Sequence, residues 1–426
     1  MDVIREFGEA TFTSFKIRNF RLYFFGRGIS LIGSWMHIVA MGWLVLLMTD
    51  SGTALGGVMA AKFFPMLFAA PIGGLIADRF DKRRVLYWTQ SILAILALGI
   101  SYMVFTETIT LASLYVFAFA TGCIDSIDLP TRQAFVHEMV GPEYLRNAVT
   151  LNSTLANLTR VIGPLVAGLL IAGVGIAFCF FVNALSFLAV LAMLFLINPR
   201  ELHAEEREKK TSIDLLAGIR YASKIPILRT ILITMAIVGI FSYEFQTSLP
   251  LLARITFLGD ASDYAALLAA MGAGSVAGGL FTASRKNIVA REFVIYTFLF
   301  GISICIASLM PSIGTMIVMM IFVGFFSINM SALGSTMVQL ASSASMRGQV
   351  MSLWGMAVFG TTLIGAPLIG WIGEHIDPRA GLAIGGIATL IAGAYAGIRL
   401  LTKDTLLSIP SFIWTRDEEV VIETKM

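Results

Sequence analysis

Some dozen apolar runs of roughly twenty residues, separated by short charged connectors, follow one another along this 426-residue chain. A run of about 20 apolar residues has the length to cross a hydrocarbon core of about 30 Å as an α-helix. The helix is also the one open arrangement that satisfies its own backbone amides and carbonyls in lipid. The supply of charge argues the same way. Only 13% of the residues are Asp, Glu, Lys or Arg and 57% are hydrophobic, whereas soluble domains carry about 25% charged residues. The chain reads as an all-α membrane protein, with a lipid bilayer as its partner along most of its length. Cys123, Cys179 and Cys305 all fall inside apolar runs, which argues against an external disulfide framework. The net charge of +3 is spread over short connectors and offers no nucleic-acid surface.

The runs predict helices at about 20–48, 55–77, 85–105 and 111–129, a fifth ending near 172, and a sixth over 176–197. Six more are expected at 228–252, 262–283, 293–310, 313–337, 350–373 and 380–402. Residues 130–146, opened by Pro130, read as a polar connector. The stretch 198–227, which holds Arg200, Glu205, Glu206, Lys209 and Lys210, divides the apolar part in two. The expected organisation is a segment 1–19, a six-helix bundle over 20–197, a central loop 198–227, a second six-helix bundle over 228–402 and a tail 403–426. The first segment lacks the pattern of a signal peptide. Its Phe7, Phe12 and Phe15 either lay it on the membrane surface as a short amphipathic helix or leave it a loosely ordered tail.

Basic residues set the expected orientation. With the N-terminus inside, the inner connectors hold Arg18, Arg79, Lys82, Arg83, Arg84 and the charges of the central loop. The outer connectors hold little beyond Arg254 and Arg379, and lean acidic through Asp50, Glu107, Asp260, Asp263, Glu374 and Asp377. By the positive-inside rule, both termini and the central loop face the cytoplasm of an inner (plasma) membrane. The halves also echo each other. Gly73 and Gly278, Arg146 and Arg347, and Gly168 and Gly370 are 205, 201 and 202 residues apart in matching contexts.

The stretch Gly73-Gly74-Leu75-Ile76-Ala77-Asp78-Arg79-Phe80-Asp81-Lys82-Arg83-Arg84 runs from small apolar residues through an acid into a basic cluster. Its G-x-x-x-D-R-x-x-[KR]-R spacing resembles the loop between helices 2 and 3 of the major facilitator superfamily. Asn19-Phe20-Arg21-Leu22, Asp128-x-Pro130-x-Arg132-Gln133-Ala134, Arg160-x-x-Gly163-Pro164-x-x-x-Gly168 and Cys179-Phe180-x-x-Asn183-x-x-Ser186-Phe187 extend the likeness over most of the chain. They resemble the branch that includes the enterobactin exporters, macrolide efflux proteins and mycobacterial multidrug efflux pumps. The resemblance implies twelve transmembrane helices in two six-helix bundles, related by a pseudo-twofold axis along the membrane normal and rocking about a central site. It also implies a gate in which Asp78, Arg79 and Arg83, beside Gly74, pair with charges and helix ends of the opposite bundle. The alternative is a basic cluster that serves topology alone. Asp81 stands where the family pattern has Gly, and the second half lacks the acid (Ala283-Ser284-Arg285). Gly163, Pro164 and Gly168 resemble the helix 5 pattern of exporters, at the interface of the bundles; by themselves they give close packing and a missing backbone donor.

Ionisable groups inside a membrane cost about 2.5–3.5 kcal/mol by insertion scales and so face a cavity or a partner. The candidates for coupling transport to protons are Asp125, Glu244, Arg27, Arg160 and Asp128. Asp128 and Arg132, four residues apart, read first as a local pair, while Asp125 has Arg27 or Arg160 as possible partners. Lys62 either snorkels or pairs within the outer half. Trp35, His37, Phe241, Phe245, Gln246, Met330 and Trp354 are candidates to line an apolar cavity, with helix packing or lipid contact as the competing reading for each.

No P-loop, HExxH or G-x-S-x-G motif is present, the four histidines are scattered, and Gly272-Ala273-Gly274 lies within an apolar run with no strand before it. The reading is a transporter and not an enzyme, a monomer that binds no metal and no cofactor. Without a nucleotide site its energy comes from a gradient. The resemblance favours a proton-coupled exporter of amphiphilic small molecules such as drugs or siderophores. An uptake carrier or lysophospholipid flippase on the same fold, or a non-transporting membrane enzyme or sensor, are the alternatives.

Overall fold

The computed structural model describes residues 13–203, 215–284, 290–343 and 346–401, with side chains for all of these except 68–72, 78, 215 and 216. Phe7 and Phe12, most charges of the central loop, Arg285, Lys286 and the tail from Lys403 lie outside the described residues, as does the side chain of Asp78.

Helices α1 (Arg18–Thr49), α2 (Gly52–Arg79) and α3 (Lys82–Phe105) cross back and forth in turn. Leu111–Val174 follows as one run of 64 residues. At about 1.5 Å per residue such a rod would be roughly three times the thickness of a hydrocarbon core. It is interrupted once, at Gly141, with φ 66° and ψ 177°, a conformation open to glycine. The two arms are α4 (111–140) and α5 (142–174), and α6 (Ile176–Leu196) completes the first bundle. The second comprises α7 (Pro226–Thr256), α8 (Ala261–Ala283), α9 (Ala290–Ser308), α10 (Ile313–Ala341), α11 (Arg347–His375) and α12 (Pro378–Leu400). No strand occurs among the described residues. Capping residues start these helices where water returns: Asp81 accepts from the Arg84 amide, while Thr110 with Ser113, Asp260 with Asp263 and Ser312 with Thr315 form reciprocal boxes.

One difference from the sequence reading is local. Residues 130–146 are helix on both sides of Gly141. Phe135, Val136, Met139 and Val140 recur at helical spacing and are buried against Phe20, Tyr23, Leu86, Leu151 and Leu194. That packing outweighs the backbone donor lost at Pro130. The segment before α1 also has a fixed seat. The Ser14 amide donates to Asn147 Oδ1 and its hydroxyl to the Tyr144 carbonyl, while Phe15 packs edge-on to Phe24.

Lipid is as apolar as the helices, so packing between them depends on close approach. Glycine supplies it in matched pairs. A methyl group on Gly122 of α4 would strike the Lys62 carbonyl of α2, and one on Gly324 of α10 would strike the Met271 carbonyl of α8. Gly73 meets Ser126, and Gly278 meets Phe325, across the same two helix pairs. The bundles join through α2 with α11 and α5 with α8. Exchanging the halves carries one of these pairs onto the other.

Candidate functional site

The turns at Asp50, Glu107, Gly175, Leu258, Met310 and Ile376 lie on one face of the molecule, and those at Phe80, Gly141, Asn198 and Ser284 on the other; they are called here the Asp50 face and the Arg79 face. On the Asp50 face the bundles are closed. Gly52 and Gly370 bring the backbones of α2 and α11 into contact, as do Gly56 and Ala366. The Glu374 carboxylate of α11 accepts from the Ser51 hydroxyl at 2.7 Å and the Thr53 amide at 2.8 Å, so it caps the N-terminus of α2 from the opposite bundle. Arg254 donates twice to Asp50 Oδ1, at 2.8 and 2.6 Å, and lies over the Trp43 ring. Asp50 itself holds a left-handed turn. A Cβ on Gly168 would stand 3.0 Å from Ala265 of α8, whose neighbour Ser262 donates to the Gly168 carbonyl. On the Arg79 face the bundles part around a mostly apolar cavity of about 520 Å³, walled by Leu67, Gly74 and Leu129 on one side and Met351, Met356 and Phe359 on the other.

Between the two faces lies a cavity of about 320 Å³ that shares Phe359 with the first. Trp35, Met59, Phe63 and Arg160 wall it from the N-terminal bundle; Tyr243, Glu244, Phe245, Gln246, Met271 and Ser331 face them. A break in α7 presents the polar members. Regular helix ends at Phe241 and resumes at Phe245, and the Ser242 hydroxyl is held 2.7 Å from the Gly385 carbonyl and 2.6 Å from Thr389 Oγ1. Glu244, at the break, is 4% exposed; its Oε1 has no hydrogen-bond partner and lies beside Gly365. Arg160 lies over the Trp35 ring at 5.3 Å, and its Nε is buried without a partner. Trp35 in turn sits in the notch left by Gly163.

A second polar cluster is internal to the N-terminal bundle. Lys62 Nζ lies 3.9 Å from Asp125, and both border a cavity of about 90 Å³ shared with His37, Ser34, Arg132 and Asn183. Asn183 donates to His37 Nδ1 at 3.4 Å, and Phe180 meets the imidazole edge-on. Asp128 is fully engaged by Arg132, the Thr89 hydroxyl at 2.6 Å and the Gln90 amide at 2.8 Å. Arg27 lies among Tyr23, Asp128 and Arg132.

The structure thus brings Trp35, Arg160, Glu244, Phe245 and Gln246 together in one cavity, with His37 and Asp125 in the neighbouring one. Asp125 faces Lys62, and neither Arg27 nor Arg160 forms an ion pair with it. Met330 is wholly buried, Trp354 packs under Gly334, and the Phe241 backbone packs closely against Gly385; none of the three lines the central cavity. Gly74 borders the open cavity and Arg79 is exposed, while Arg83 donates to the Leu194 and Phe195 carbonyls and so caps α6 of its own bundle. Sequence reasoning did not find the contacts of Asp50, Arg254, Ser51, Thr53 and Glu374. Their signal, acidic outer turns opposite a lone outer arginine, does not reveal that partners 204 and 323 residues apart meet. Among the described residues no group of three or more His, Cys, Asp or Glu is placed to hold a metal.

Two six-helix bundles closed on one face, parted on the other and enclosing a cavity between them define a major-facilitator-type membrane transporter. A family profile described as transmembrane secretion effector matches residues 9–425, and the chain belongs to that family of the major facilitator superfamily. It is 26% identical over 403 residues to the MFS-type transporter YfiS of Bacillus subtilis (strain 168), covering 88% of this chain and 94% of the relative. It is 27% identical over 381 residues to the enterobactin exporter EntS of Shigella flexneri, covering 88% and 90%. Among solved structures, a bacterial homolog of the human lysosomal transporter Spinster, inward-facing and occupied, superposes with TM-score 0.70 at 14% identity over 95% of this chain and 99% of that one. The POT family transporter PepTSo gives 0.72 at 13% identity over 90% and 98%.

Proposed function

We propose that this transporter is a secondary active exporter that expels amphiphilic small molecules in exchange for protons, working as a monomer by alternating access. The single observation that carries the reading is the central cavity, closed toward the Asp50 face and walled by aromatic, methionine and serine side chains around Arg160 and Glu244. With the Arg79 face in the cytoplasm, the orientation the basic connectors favour, this state loads solute from inside. The relatives named as enterobactin exporters and the Gly163, Pro164 and Gly168 pattern of α5 support the outward direction. In this reading residues 20–197 and 228–402 are the rocking bodies and 198–227 joins them. Asp125 and Glu244 carry the exchanged proton. Asp78, Arg79 and Arg83 form the cytoplasmic gate in the opposite state, in which Arg83 leaves the end of α6.

The test is reconstitution in liposomes with an internal pH dye, challenged with enterobactin, a macrolide and ethidium. Solute-dependent proton movement that is lost in Asp125→Asn or Glu244→Gln is the expected result. Solute accumulation that both variants support at the wild-type rate would overturn the coupling assignment. Proton entry in the same direction as the solute would identify an uptake carrier.

A further inference from the structure

We infer that Arg160 is the anchor for an anionic group on the transported molecule, so that the central cavity selects amphiphilic anions; the inference rests on the transport reading above for calling that molecule a substrate. Arg160 lies near the middle of α5, where an uncompensated guanidinium costs about 2.5–3.5 kcal/mol. Among the described residues, the ion pairs of Lys62 with Asp125, Lys82 with Glu138, Arg132 with Asp128 and Arg254 with Asp50 lie elsewhere. Glu244 borders the same cavity without forming an ion pair with Arg160. The aromatic face of Trp35 orients the guanidinium but brings no countercharge, and Nε is left without an acceptor. A buried donor of this kind costs most when unpaired and contributes most when an acceptor arrives.

The surroundings narrow the acceptor. A planar guanidinium matches a carboxylate, sulfonate or phosphate with two parallel hydrogen bonds. The Tyr243 hydroxyl, which reaches the Ser327 carbonyl at 3.5 Å, and Ser331 supply further polar atoms on the opposite wall. Trp35, Phe63, Leu268, Met271 and Phe359 give the wall its apolar part, while Gln246, Ser275 and Thr362 add neutral polar atoms and Glu244 a carboxyl group. A volume of about 320 Å³ is at the lower end of those that hold small-molecule ligands, about 300–1,000 Å³. A lipophilic cation meets repulsion at the position an anion would occupy. The molecule this wall accepts has one acidic head on an aromatic or alkyl body, whether it is a solute of the cytosol or an anionic lipid.

The test is equilibrium binding to the full chain in nanodiscs at neutral pH, read by transfer of Trp fluorescence to a dansyl group. The probes are dansylglycine and its uncharged amide, dansylglycinamide. Wild type is expected to bind the acid at least about tenfold more tightly than the amide, the effect of one charge-assisted pair. Arg160→Gln is expected to bring the two within about twofold of each other, and Arg160→Lys to retain part of the difference. Equal binding of acid and amide by wild type, or an undiminished preference in Arg160→Gln, overturns the inference. Should Arg160→Gln fail to fold, the wild-type comparison and Arg160→Lys still decide. Displacement of bound dansylglycine by oleoyl lysophosphatidate assigns the site to lipid anions, and its absence to soluble ones. Vesicles that move solute while acid and amide bind alike leave the export reading standing and remove this one. A clear preference for the acid in a protein that moves nothing does the reverse.

Discussion

Glu374 offers the sharpest perturbation, because one carboxylate joins the bundles where they are closed. Its Oε2 takes the Ser51 hydroxyl and the Thr53 amide at the first turn of α2. A hydrogen bond to a charged group is worth about 1.5–3 kcal/mol when shielded, but this carboxylate is exposed, so about 1 kcal/mol for both bonds together is the appropriate figure. The Arg254–Asp50 pair, with Asp50 74% exposed, adds about 0.5 kcal/mol. Losing both sets of contacts in Glu374→Ala/Arg254→Ala removes about 1.5 kcal/mol, which shifts the ratio of closed to open on this face by slightly more than tenfold. The measurement is the distance distribution between spin labels at Thr108→Cys and Gly314→Cys, one on each bundle, in a chain freed of its three native cysteines. The longer distance should gain weight in the order Glu374→Gln, Glu374→Ala, double variant, since Gln keeps an acceptor and loses only the charge. High salt should imitate part of the Arg254 effect by screening. A distribution that the double variant leaves unchanged would refute the claim that these contacts hold the face shut, and would assign closure to the glycine contacts of α2 and α11 alone.

Two further outcomes separate packing from mechanism. Gly73→Ala should lower the yield of folded protein, because the new methyl meets the Ser126 carbonyl, whereas Gly74→Ala meets nothing within 4 Å and should fold normally; equal thermal stability of the two would count against the packing account. Asp128→Asn should destabilise the N-terminal bundle by about 3 kcal/mol by leaving Arg132 buried without its countercharge, while Asp125→Asn, at the edge of a cavity and 3.9 Å from Lys62, should keep its melting temperature within a few degrees; the reverse order in a thermal melt would exchange the structural and functional assignments of the two acids.

What the sequence makes legible follows from lipid. Helix number and spacing are readable because apolar length is the one requirement a bilayer imposes, and the repeat is readable because glycines needed for close helix contact, Gly73 and Gly278, and Gly168 and Gly370, recur 205 and 202 residues apart. The facing of each helix is not readable. In water a polar face marks the outside, but here both faces of a helix such as α10 are apolar, so Met330 and Trp354 look identical in sequence to Trp35 and Phe245. Charged residues mark the interior instead, and Arg160, Glu244 and Asp125 do border cavities. The joint between α4 and α5 was obscured by Pro130 and Pro142, although the helical spacing of Phe135, Val136, Met139 and Val140 runs through it. Contacts across the bundles, such as Asp50 with Arg254, depend on docking two bodies and leave no local trace.

The two proposals together fix the sign of a measurable current. Expelling one monoanion and admitting one proton moves two positive charges inward per cycle. A membrane potential contributes about 2.3 kcal/mol per charge per 100 mV, so an interior-negative potential of 100 mV drives this cycle by about 4.6 kcal/mol before any pH gradient is applied. That corresponds to an accumulation ratio of roughly 2,000, and expulsion of a lipophilic cation by the same exchange would gain nothing from the potential. The check is dansylglycine movement in liposomes of equal internal and external pH, with the potential set by potassium and valinomycin. Movement toward the positive side, reversing when the potential is reversed, is the expected outcome; movement that ignores the potential while responding to pH would refute the exchange of one monoanion for one proton.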